Sequence, residues 1–61
     1  MMSVRYESLA RTGVQHRMMA VCTSRSGVTQ MLVASGDTPR AAHDAVDKLV
    51  DALSPEWWLV A

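Results

Sequence analysis

The chain has 61 residues, of which 49% are hydrophobic and 20% charged, with six basic side chains against six acidic ones. That length holds one domain at most and buries only about 60% of the surface of its unfolded form, which excludes tandem domains and a large catalytic cleft; the apolar half of the composition excludes intrinsic disorder. The cancelled charge removes the case for nucleic-acid or membrane binding by bulk charge, and one cysteine, Cys22, excludes a disulfide scaffold and suits a reducing, cytoplasmic setting.

Glycine and proline punctuate the chain at Thr12-Gly13, Ser24-Arg25-Ser26-Gly27, Ser35-Gly36-Asp37-Thr38-Pro39 and Ser54-Pro55. Arg5 and Glu7 stand where the apolar core of a signal peptide would lie, so no leader is expected. Residues 4–11 alternate Val4, Tyr6, Ser8 and Ala10 against Arg5, Glu7, Leu9 and Arg11, the period of a strand with one more apolar side. Residues 14–23 and 28–35 are rich in Val, Thr, Met and Leu, and the short Gly-containing links suit hairpins. A three-stranded antiparallel meander is predicted.

Residues 38–53 change to the helical period. Thr38 can cap the first turn and Pro39 fits the first helical position. Ala42, Ala45, Val46, Leu49, Val50 and Leu53 form an apolar stripe, with Arg40, Asp44, Asp47, Lys48 and Asp51 outside it. Ser54-Pro55 ends this helix. Residues 56–60, Glu-Trp-Trp-Leu-Val, read as a final strand or a docking tail. The order βββαβ makes residues 1–61 a single α+β domain.

The central strands are apolar on both sides. Met18, Ala20 and Cys22 oppose Met19 and Val21, and Leu32 and Ala34 oppose Met31 and Val33. A two-sided apolar strand implies that both sheet faces are covered; one helix covers one face, so a second copy is expected to cover or complete the sheet. Two adjacent tryptophans on a strand would point to opposite faces, which makes one of Trp57 and Trp58 an interface anchor. The expected interface is Met19, Val21, Met31, Val33, Trp57 and Trp58. Charge is uneven as well: residues 1–25 carry Arg5, Arg11, Arg17 and Arg25 against Glu7, while the helix is acidic. Complementary surfaces of that kind steer association.

Catalytic, metal and cofactor residues are not expected. His16, Cys22 and His43 lack ligand spacing, and no nucleophile elbow, dinucleotide fingerprint or P-loop occurs. The runner-up reading is nucleic-acid binding by a sheet face bearing Arg5, Arg11, Arg17 and Arg25. The apolar runs 18–22 and 57–61 fall far short of the roughly 20 residues of a membrane span, so no membrane partner is expected.

From Val28 through Gly36-Asp37-Thr38 to Leu53, a strand leading into a helix after two earlier strands, the chain resembles the hairpin-to-helix part of HicB-type antitoxins. That resemblance implies a partial RNase H-like βββαβ fold that dimerises while covering a toxin. The same order is similar to the distal part of double-stranded-RNA-binding domains, whose Lys-rich helix start is Pro39-Arg40-Ala41 here. The function expected is that of a small cytoplasmic, non-enzymatic, protein-binding homo-oligomer, most simply a dimer. It would act as a phage-like or antitoxin-like inhibitor or accessory protein.

Overall fold

A computed structural model describes residues 2–61, in which three strands are followed by two helices: β1 (Ser3–Thr12), β2 (Gln15–Thr23), β3 (Thr29–Gly36), α1 (Pro39–Asp51) and α2 (Pro55–Val60). The strands form one antiparallel sheet in the order β1-β2-β3. Thr12 pairs with Gln15, leaving Gly13 and Val14 as a two-residue hairpin loop. Gly13 has φ +60°, as the first central residue of a type II′ turn demands. The second link is held by Ser24, whose Oγ accepts from Val28 N at 3.1 Å while its own N–H donates to Val28 O at 2.8 Å.

The helical period places α1 as expected, although the helix stops at Asp51. Thr38 caps it, accepting from Ala41 N at 3.0 Å, and Pro39 fills the first turn, where a missing N–H has no helical partner to lose. The helix packs across β2 and β3. Its buried row, Ala42, Val46 and Val50, meets Met18, Ala20 and Cys22 of β2, and Tyr6, Leu32, Ala34 and Leu53 pack around that core. The side chains between helix and sheet are small, so α1 approaches closely and a narrow row suffices to seal the contact. Leu49, predicted in the stripe, consequently stays 42% exposed.

The expected C-terminal strand is not formed. Residues 55–60 make helix α2 instead: Ser54 Oγ accepts from Trp57 N at 3.1 Å and Pro55 occupies the first turn. A Ser-Pro pair that ends one helix by excluding the residue before proline from helical geometry also caps the next. α2 is fastened at the β2–β3 turn by Arg25 N donating to Trp58 O at 2.8 Å, and by the hydroxyls of Ser24 and Ser26 donating to the Ala61 carbonyl. Among the described residues every buried side-chain N or O has a hydrogen-bond partner. No helix among them is long and apolar enough to cross a membrane.

Candidate functional site

Strand parity divides the sheet into two faces. Val4, Tyr6 and Ser8 stand over Cys22, Ala20 and Met18, and these over Gln30, Leu32 and Ala34, on the side that α1 covers. The other side is read in rows across β1, β2 and β3: Ser3–Thr23–Thr29, Arg5–Val21–Met31, Glu7–Met19–Val33 and Leu9–Arg17–Ser35. No element of the described chain lies over those rows. The four apolar side chains at their centre are Met19, Val21, Met31 and Val33, contiguous on β2 and β3, with Met31 66% and Val33 44% exposed. Ordinary one-sided antiparallel sheets turn polar residues outward, so this face is unusual in what it offers to water.

The structure separates the rest of the expected interface from those four. Trp57 and Trp58 lie on the helix-covered side, half-buried against the core, their rings in edge contact at 5.0 Å and 78°. Adjacent side chains on a helix are about 100° apart, not opposed, so both rings turn inward and the strand argument for a diverging anchor does not apply. Beside them lies a shallow, largely apolar cleft lined by Met2, Val50, Leu53, Pro55, Trp58 and Leu59 together with the carboxylate-bearing Asp51.

The four arginines are dispersed. Arg5 lies on the open face and pairs with Glu7 Oε2 at 3.2 Å. Arg17 closes one end of that face between Leu9 and Ser35. The register slips by one residue between Leu9 and Thr12, which breaks the alternation that would keep Arg11 in line with Arg5. Arg25 sits in the β2–β3 turn, at the far end of the sheet from Arg17. A single basic stripe is therefore not formed by these side chains.

One polar cluster escaped the sequence reading. Tyr6 Oη donates to Asp47 Oδ1, and the Tyr6 ring lies 4.4 Å from that of His43 at 38°. The hydrogen bond to Asp47 above all, with burial and the charges of Asp47 and Asp51, pushes the phenol up from 10.0 to about 12. A phenol held protonated in this way serves as a tie between β1 and α1 rather than as a nucleophile. Its folded pKa exceeds its unfolded one, so the tie is fully present below pH 10 and is lost as pH rises through about 12. Tyr6 is the one tyrosine in the chain. Tyrosinate absorbance of the native protein should thus titrate with a midpoint near 12, and a midpoint at the ordinary value would exclude the Asp47 bond. Burial likewise raises the Cys22 thiol and keeps it in the neutral form. Among the described residues no three His, Cys, Asp or Glu side chains gather as metal ligands.

Comparison of the chain with family models, curated proteins and solved structures finds no match. What the fold and the surface define is thus a class by geometry alone: an α+β arrangement whose three-stranded antiparallel sheet carries helices on one face and leaves an apolar face open.

Proposed function

We propose that this chain is a small, non-enzymatic protein-binding module that works as a homo-oligomer in the cytoplasm. In this reading it acts as an inhibitor or accessory protein that covers a partner protein's surface. The observation that carries the reading is the open sheet face, where Met19, Val21, Met31 and Val33 form a continuous apolar centre with polar residues at both ends. An apolar patch with a polar rim is the ordinary anatomy of a protein contact. In so small a domain, burying it adds substantially to a limited core. The buried thiol of Cys22 fits a reducing compartment.

Sedimentation at micromolar concentration tests the oligomer directly. A dimer or larger species is expected; a monomer throughout that range would remove the self-association on which the reading depends. Duplex or single-stranded nucleic acid added at low salt should leave the sedimentation unchanged. Salt-sensitive binding, lost on replacing Arg17, would instead favour the arginine-bearing sheet as a nucleic-acid surface.

A further inference from the structure

The two central rows of the open face run Arg5–Val21–Met31 and Glu7–Met19–Val33. Each is one charged side chain followed by two apolar ones, and the charges are opposite. Along β2 a valine stands in one row and a methionine in the other, and along β3 the order is reversed. The rows are thus complementary to each other in charge and in size.

A twofold axis crossing the strands at right angles, lying between two stacked sheets and midway between these rows, lays each row on the other row of a second copy. We infer that two copies of this chain pack open face to open face about such an axis, with Arg5 of each opposite Glu7 of the other. The same rotation sets Val21 over Met19 and Met31 over Val33 reciprocally, the isologous contact that closes a dimer. The outer rows then meet as Ser3 against Leu9, Thr23 against Arg17 and Thr29 against Ser35, the last two pairing hydroxyls with a guanidinium and with each other. Aligned sheets pack about 30° from parallel, an offset that leaves these pairings within side-chain reach. An axis running along the strands would instead set Arg5 over Met31 and Glu7 over Val33, burying both charges against apolar groups.

Within one chain Arg5 and Glu7 already pair at 3.2 Å, with side chains 66% and 52% exposed. An exposed pair of that kind contributes little by itself. Two such pairs facing each other across the axis make a ring of alternating charges, and charges so placed fix register and reject wrong partners. The inference rests on the homo-oligomer reading and specifies the occupant of the open face and its orientation.

Charge exchange tests it. Arg5→Glu and Glu7→Arg each put like charges opposite one another, and each alone should weaken self-association about tenfold or more. Mixed in equal amounts, the two variants should form a heterodimer in native mass spectrometry and sedimentation, and the double exchange in one chain should restore the homodimer. The pair within each chain is broken in both single variants, and mixing folded chains cannot repair it, so recovery reports contacts between copies. Both positions are exposed, and far-UV circular dichroism should show the fold retained. As a milder pair, Arg5→Gln and Glu7→Gln should each weaken association, with partial recovery on mixing, because the mixed dimer regains one of the two Arg5–Glu7 contacts between copies. Single exchanges that associate like the parent, or a mixture that recovers nothing, overturn the axis. With a dimeric parent, that result leaves the homo-oligomer reading standing; a monomeric parent removes both.

Discussion

Alanine in place of Gly36 should lower the melting temperature by roughly 12–24 °C, the shift expected when a domain of this size loses about 3 kcal/mol. Gly36 ends β3 just where the chain turns into α1, and a Cβ built there would sit 2.6 Å from Ala42 N, 2.7 Å from Ala41 C and 2.8 Å from Ala41 Cβ. Two of these are backbone atoms of the first helical turn, which cannot swing aside as the end of a long side chain can. The helix would have to lift from the sheet, and the row Ala42, Val46 and Val50 would lift with it from Ala20 and Cys22. A domain of 61 residues holds only about 3–9 kcal/mol in total, so this one methyl group takes a large share. Thermal melts followed by far-UV circular dichroism provide the measurement, with Ser35→Ala on the exposed neighbour as a control that should stay within about 0.5 kcal/mol. If Gly36→Ala melts with the parent, the close approach of helix and sheet is not what fixes α1.

The sequence pattern foretold the faces better than it foretold what lies across them. Alternation in residues 4–11, 14–23 and 28–35 sets which side chains share a side, and the i, i+3/i+4 spacing of Ala42, Val46 and Val50 sets the buried row; both follow from backbone geometry alone. The open face with Met19, Val21, Met31 and Val33 was legible for that reason. Three features were not. A six-residue helix is too short to display a helical period, and Trp, Leu and Val favour strands, so α2 read as a strand. The slip between Leu9 and Thr12 takes Arg11 out of phase with Arg5, and nothing in residues 9–12 marks it by composition. The Tyr6–Asp47 bond joins residues 41 apart in sequence; a period says that Tyr6 faces the helix but not which helical residue stands opposite.

The second large effect concerns the open face. The double variant Met19→Thr with Val21→Thr should keep the monomer fold and weaken self-association by roughly 100- to 1,000-fold. Threonine is β-branched and strand-favouring, and both positions lie on β2 away from the α1-covered core, between Glu7 and Val33 and between Arg5 and Met31 respectively. Both side chains are already half-buried within one chain, so each yields less than the 1.5–3 kcal/mol of a fully transferred apolar side chain, about 1 kcal/mol. An isologous contact contains each substitution twice, which brings the loss to about 3–4 kcal/mol, two to three powers of ten in the dissociation constant. Sedimentation equilibrium measures that constant, and circular dichroism checks that the sheet persists. Unchanged association would show that the copies join elsewhere, and the outer edge of β3 is the place to look. Residues 26–36 carry no charge, whereas β1, the opposite edge, carries Arg5, Glu7, Arg11 and a register slip, the devices by which sheet edges resist pairing.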